Sequence, residues 1–211
     1  MIHPDTFVKG TRNKGLGLFA KRKFLRGEIL WITDNFDLKI PLKKYQMIEE
    51  RQRNILNIYS YMDNKSRVIV PWDEGKYVNH SCSPNATCLL EFDNITVAIK
   101  EIDPGEEIVE DYRSYFGHFE TFDCNCGSSS CKKKVDCSDS YDPNLRISLF
   151  DIVHEIVKHS QPLLSYHTAD ILTLIKMLER FSSLNGSGLS ADKTLLNTTF
   201  IPEIPYFSSQ I

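Results

Sequence analysis

The densest chemistry in this sequence lies in nine residues, Tyr77-Val78-Asn79-His80-Ser81-Cys82-Ser83-Pro84-Asn85. They set amides, an imidazole, a thiol and hydroxyls around a rigid proline, between two apolar runs. Such groups can hold a polar ligand or a metal, where a plain turn would need none of them. A second concentration follows at Asp123-Cys124-Asn125-Cys126-Gly127-Ser128-Ser129-Ser130-Cys131. Its Cys-x-Cys-x4-Cys spacing makes a compact thiolate cluster. Zinc takes four tetrahedral ligands in a closed structural site, so one ligand has to come from elsewhere. Cys82, Cys88, Cys137 and several histidines are the candidates. Far upstream, Gly15-Leu16-Gly17 lets the backbone adopt positive φ and approach a ligand closely. That pair alone reads as a hairpin turn, because it lacks the third glycine and the following helix of a dinucleotide fingerprint.

Composition narrows the class. With 41% hydrophobic and 25% charged residues in 211, the chain can hold one good core with a small appendix. A net charge of −3 argues against binding nucleic acid through bulk charge and is compatible with a basic partner. No run is apolar enough to span a membrane, and the start is polar at once, so the expected location is intracellular. Thiols stay reduced there, which favours metal binding over disulfides for clustered cysteines.

The elements that must position these groups are mostly short strands. Phe7–Lys9, Leu18–Ala20 and Ile29–Ile32 read as strands separated by turns. Residues 41–58 read as one helix, with Leu42, Tyr45, Ile55 and Ile58 near helical spacing and the charges on a solvated face. Tyr59–Met62 and Arg67–Val70 read as a hairpin, with Tyr59 and Tyr61 on one face either as core aromatics, the preferred reading, or as the wall of a pocket. Cys88–Phe92 and Ile95–Ile99 flank the hairpin signal Asp93-Asn94, and Ile108–Tyr112 is a further strand. From Ser138 the chain reads as a separate piece: a helix through Leu145, Leu149, Ile152 and Ile156, broken at Pro162, then a helix from Leu172 to Phe181. His154, His159 and His167 share no metal-ligand spacing.

Taken in order, four motifs resemble the SET-domain protein lysine methyltransferases. They are Lys14-Gly15-Leu16-Gly17-Leu18-Phe19-Ala20, Asn79-His80-Ser81-Cys82-Ser83-Pro84-Asn85, Gly105-Glu106-Glu107-Ile108 with Asp111-Tyr112, and the cysteine cluster, which resembles the post-SET segment. The resemblance covers roughly residues 5–135. It implies a mainly β fold of small sheets, in which a pseudoknot brings Asn79–Cys82 and Tyr112 together. It divides the chain into a SET domain at 1–122, a post-SET zinc segment at 123–137 and a helical extension of unknown role at 138–211.

The resemblance also implies the chemistry. S-adenosylmethionine is the implied methyl donor, contacted by the backbone of Lys14, Gly15, Leu16 and Gly17, by Asn79 and His80, and by Asn125. One structural zinc ion is implied on Cys82, Cys124, Cys126 and Cys131. Tyr112 is the implied catalytic residue, orienting the target amine or the methyl group. The implied substrate is a lysine of a basic protein, a histone tail or nucleosome first, which would place the protein at chromatin; a non-histone substrate would leave it in the cytoplasm. Sequence-specific nucleic-acid binding is not expected. A catalytically silent module that binds a partner through its tail is the reading from a different class. The chain departs from the family at Glu110, two residues before Tyr112, where the histone-methylating branch usually carries Phe or Tyr. The family's rule for the number of methyl groups therefore does not transfer.

Overall fold

The chain opens with a hairpin. β1 (Thr6–Gly10) pairs antiparallel with β2 (Leu16–Ala20), Thr6 opposite Ala20 and Gly10 opposite Leu16. Gly15 turns the chain at a φ of +75°, and the Thr11 N–H closes the loop on the Gly15 carbonyl at 2.7 Å. The structure is a computed structural model, which describes residues 1–116, 121–136 and 142–159.

β3 (Ile29–Ile32) is the first strand buried along its whole length. β4 (Leu38–Pro41) then leads into two short helices, α1 (Leu42–Gln46) and α2 (Glu50–Asn57). The single helix expected over 41–58 is thus broken at Met47–Glu49. The Met47 and Ile48 N–H groups bond back only three residues, to Lys44 and Tyr45, and Glu49 is extended. The physical reason lies in the missing stripe: Tyr45 is the one buried residue of α1 and α2 buries none, so no continuous apolar face holds the two in line. Instead the Tyr45 hydroxyl ties them side by side through Asn57 Oδ1 and the Arg53 carbonyl.

β5 (Tyr61–Met62) and β6 (Arg67–Val70) make the expected hairpin, and β6 also pairs with β4. β7 (Asn79–His80), β8 (Ala86–Cys88), β9 (Ile95–Ala98) and β10 (Val109–Glu110) follow. The strand expected at Cys88–Phe92 lies two residues earlier, because the Leu90 N–H leaves the sheet for the Ile147 carbonyl at 2.9 Å. The one expected at Ile108–Tyr112 is cut short by a tight turn at Tyr112–Ser114. The Asp111 side chain caps that turn by accepting the Arg113 N–H. β11 (Phe122–Asp123) pairs with β12 (Lys134–Val135) around the cysteine segment. The last described element is α3 (Leu149–Lys158). Among the described residues these strands form five small sheets, so the architecture is mainly β, as expected.

The sheet β3-β9-β8 is the centre, and it is covered on both sides. Successive residues of a strand point to opposite faces. Ile29, Ile32, Ile95 and Val97 pack on one side against Leu149, Ile152, Val153 and Ile156 of α3. Leu30, Ala86 and Ala98 pack on the other with Leu18, Phe24, Ile102 and Ile108. A register shift between Ile29 and Trp31 reconciles the two faces. Burial on both sides explains why β3 and β9 read as continuous apolar runs without alternation.

The expectation that sets everything from 138 onward apart therefore fails for α3. Glu91 caps its start, accepting the Leu149 N–H at 2.8 Å and the Ser148 hydroxyl at 2.6 Å. It passes so close to Gly27 (φ +92°) that a Cβ there would sit 2.5 Å from Glu155 Cβ. The helix also starts later than expected, since Leu145 belongs to a separate turn at Pro143–Leu145. The helix expected at 172–181 and His167 lie outside the described residues. Truncating the fully buried Ile152 to alanine should cost about 3 kcal/mol in urea unfolding. A loss within about 0.5 kcal/mol, the surface-mutation range, would mean that α3 is not part of the core.

Candidate functional site

The site is assembled where β7 and β10 run side by side. They pair in parallel, Asn79 beside Val109 and His80 beside Glu110, although thirty residues separate them in sequence. Asn85 locks the crossing: its side chain accepts the Val109 N–H at 2.8 Å and donates to the Glu107 carbonyl at 2.8 Å. The polar nine-residue stretch thus spends Asn85 on architecture and keeps Asn79, His80 and Cys82 for the site.

One wall is polar. Asn79 Nδ2 donates to the Leu16 carbonyl at 2.9 Å and to Glu107 Oε1 at 2.8 Å. Lys14 Nζ meets Glu107 Oε2 at 2.6 Å. Gly17 sits at the centre of this group; a Cβ would lie 2.7 Å from Glu107 Oε1 and 3.0 Å from Asn79 Nδ2. Glycine lets these side chains approach closely; a larger residue would have to displace them. From the far side, Asn13 Nδ2 donates to the Asn125 carbonyl at 2.8 Å, which joins the cysteine segment to the glycine turn. Lys14, Gly15, Leu16, Gly17, Asn79 and Asn125 therefore form one contiguous surface.

Beside it lie the cysteines. The sulfurs of Cys82, Cys124, Cys126 and Cys131 all fall within 4.8 Å of one another, with Cys82 and Cys124 at 3.9 Å. A tetrahedral zinc with bonds of about 2.3 Å spaces its sulfurs by about 3.8 Å, so the donor set fits such an ion. Two backbone N–H groups already point at sulfur, Lys132 to Cys82 and Lys133 to Cys131, each at 3.4 Å. Burial pushes the Cys124 thiol up to about 12. Burial also raises Cys126, but backbone donors and the neighbouring thiols bring it down to about 6, so this cluster favours a thiolate. Of the other candidates for the fourth ligand, Cys88 lies elsewhere, buried against Thr96 and Tyr115, and Cys137 is outside the described residues.

A cavity of ≈ 490 Å³ reaches the strand pair at Glu110, with Val78 and Tyr112 beside it. Rings make much of its wall: Tyr59, Tyr61, Tyr112, Tyr115 and Phe122. Tyr59 and Tyr61 are thus wall residues as well as packing aromatics; Tyr61 lies 5.0 Å from the Tyr115 ring and 6.1 Å from Trp31. The Tyr112 hydroxyl donates to the Val78 carbonyl at 2.7 Å, and its ring stands 5.4 Å from His80 and 6.1 Å from Phe122. The cavity also meets Glu110, which is buried and bonded to the Tyr115 hydroxyl. Burial holds the Glu110 carboxyl above its ordinary range, although Tyr115 and Thr96 hydrogen bonds oppose this.

His80 is buried, and burial lowers its pKa more than Asp111 nearby raises it. Both of its ring nitrogens face protein atoms, so only its backbone can reach a ligand in the polar wall. Sequence reasoning overlooked Glu107, Phe122 and Tyr115. Glu107 had a signal, as the second carboxylate of the Gly105-Glu106-Glu107 turn. Phe122 and Tyr115 had none, since both lie outside those motifs. Among the described residues no helix is long and apolar enough to cross a membrane.

Residues 15–113 match the SET domain family. The chain is similar to the variant-silencing SET domain-containing protein of Plasmodium falciparum (isolate 3D7), 31% identical over 140 residues, which cover 60% of this chain and 5% of that protein. It is 26% identical over 140 residues to histone-lysine N-methyltransferase 2D of Homo sapiens, covering 61% of this chain and 2% of that protein. Against histone-lysine N-methyltransferase NSD3 of Mus musculus the figures are 27% over 144 residues, with 62% and 10% covered. The matched stretch is a small part of each relative.

Proposed function

Because residues 15–113 are a SET domain, we propose that this protein transfers a methyl group from S-adenosylmethionine to a lysine side chain of a basic protein, histone tails first. The similarity to two histone-lysine N-methyltransferases supports the substrate class. The observation that carries the reading is Tyr112, which lines the ring-walled cavity and is bonded through its backbone N–H to His80, in the strand pair bearing Asn79.

S-adenosylmethionine would supply an electrophilic methyl group on a positively charged sulfur. The polar wall of Gly15–Gly17, Asn79 and Asn125 would hold that donor, and the cavity would receive the lysine. A lysine ammonium, which in water gives up its proton only near pH 10.4, is not a nucleophile. Its apolar stem suits the tyrosine rings, and burial between them disfavours the charged form. The Tyr112 proton is given to the Val78 carbonyl, so the hydroxyl oxygen turns acceptor capacity toward the cavity. There it would hold an amine N–H and aim the lone pair, which is what attack at a methyl carbon requires. The zinc site would fasten residues 121–136 over the donor.

The test is transfer of labelled methyl groups from S-adenosylmethionine to core histones, read by intact mass. Transfer to a lysine supports the reading. Donor binding without transfer to histones or other basic proteins would remove it.

Glu110 is expected to set how many methyl groups the cavity admits. Its carboxyl and the Tyr115 hydroxyl occupy space that a methylated amine would otherwise use. Glu110→Gln keeps the shape, so stability should change by about 1 kcal/mol, one hydrogen bond's worth. Glu110→Ala empties that space and should move the product masses toward higher methylation. An unchanged product distribution in Glu110→Ala would detach Glu110 from product choice.

A further inference from the structure

One imidazole touches both the cysteine cluster and Tyr112, a residue of the cavity wall. His80 Nδ1 lies 3.2 Å from the Tyr112 backbone N–H, which can only donate. Nδ1 must therefore accept, and in a neutral ring the proton is on Nε2. Nε2 lies 3.3 Å from Cys82 Sγ. The carboxylate that would otherwise compete for an Nδ1 proton, Asp111, stands 3.7 Å away. It is occupied by Arg113, whose Nε reaches Asp111 Oδ1 at 2.9 Å. The ring stands edge-on to Tyr112 and Phe122, with centroids at 5.4 and 5.7 Å.

We propose that His80 is a positioning residue that couples the metal site to the catalytic tyrosine, donating its Nε2–H to the Cys82 sulfur while its Nδ1 holds the Tyr112 backbone. This rests on the zinc reading and on Tyr112 being catalytic. A donor to a ligating thiolate offsets part of its negative charge and fixes the direction of its lone pairs. In return, a metal-bound Cys82 holds the imidazole still, and the imidazole holds the start of the Tyr112–Ser114 turn. The zinc would then serve more than the residues 121–136 that carry three of its ligands: it would set the aim of the Tyr112 hydroxyl through one side chain. Sequence spacing hides this. Cys82 and Tyr112 come within reach of one side chain because His80 and Glu110 are partners in the parallel pair.

Two conservative variants separate the two bonds. An asparagine amide reaches the depth of Nδ1, and a glutamine amide that of Nε2. His80→Asn should keep the acceptor for Tyr112 and lose the donor to Cys82; His80→Gln should do the reverse. Zinc affinity, measured by chelator competition on the full chain, is expected to fall about 10- to 100-fold in His80→Asn and much less in His80→Gln. With cobalt in place of zinc, the thiolate-to-metal charge-transfer bands should shift in His80→Asn and stay near wild type in His80→Gln. In the unmutated, zinc-loaded protein, nitrogen-15 shifts should show His80 protonated at Nε2 alone, which needs no variant to fold. An Nδ1–H tautomer, or two variants with wild-type zinc affinity and cobalt bands, would overturn the proposal. A wild-type chain that binds no zinc would overturn the site and the coupling together. None of these readouts uses methyl transfer, so a chain that passes them and transfers no methyl group would refute only the enzymatic reading.

Discussion

Tyr112→Phe should lower kcat for lysine methylation by about a hundredfold or more while leaving the dissociation constant for S-adenosylmethionine nearly unchanged. The split follows from where the two halves of the residue lie. The backbone N–H of Tyr112 holds His80, and its ring packs on His80 and Phe122; phenylalanine keeps all three contacts. The hydroxyl is bonded to the Val78 carbonyl and borders the cavity. Phenylalanine deletes only this group, and with it the acceptor proposed to aim the amine. The polar wall of Asn79, Glu107 and Lys14 contains no Tyr112 atom, so donor binding should survive. One neutral hydrogen bond contributes about 1 kcal/mol to stability, so the variant should fold. The measurement is single-turnover methyl transfer beside calorimetric titration of the donor. Turnover within a few-fold of wild type would take Tyr112 out of the mechanism; loss of both turnover and donor binding would make its role structural.

What the sequence reveals about this site and what it hides divide along the range of the interactions. Gly15, Asn79, Cys82 and the Cys124–Cys131 cluster announce themselves because their chemistry is local: a turn, an amide, a tight ligand spacing. The strands β3 and β9 are visible as apolar runs for the same reason. α3 is visible as a helix through Leu149, Ile152, Val153 and Ile156, but its partner is not, since nothing local says that Gly27 leaves room for it or that Ile29 and Val97 face it. Residues 41–58 mislead in the opposite way. Their near-helical spacing is real, yet α2 buries none of its side chains against the described residues, and the helix breaks where packing offers little support. Glu107 acquires its role only through a chain crossing that puts its carboxylate between Lys14 and Asn79, and Tyr115 through the tight turn at Tyr112–Ser114, which brings its phenol onto Glu110.

Removing zinc, by chelation or by Cys131→Ser, should weaken donor binding about a hundredfold and expose residues 121–136 to protease while the central sheet stays folded. Residues 121–136 cannot secure themselves by burial. Cys124 and Val135 are the buried side chains of their small cluster, and β11 and β12 hold each other through two residue pairs. Apolar area of that size contributes only a few kcal/mol, against about 1 to 2 kcal/mol of backbone entropy for every residue that must be ordered. A structural zinc in a small module contributes about 10 to 16 kcal/mol, enough to reverse that balance. When the metal leaves, Phe122 is freed from His80 and Tyr112, and the Asn125 carbonyl from Asn13. The donor wall loses its outer half. The core on either side of β3 and β9 has no cysteine ligand in it, so its urea midpoint should hardly move. Cys88→Ala serves as the control: it should still load one zinc per chain, because Cys88 faces Thr96 and Tyr115, away from the cluster. Metal analysis showing well under one zinc per chain, or Cys131→Ser with wild-type donor affinity, would dismiss the site. Unfolding of the whole chain on chelation would instead mean that the zinc holds the domain, and that residues 121–136 are not a separable lid.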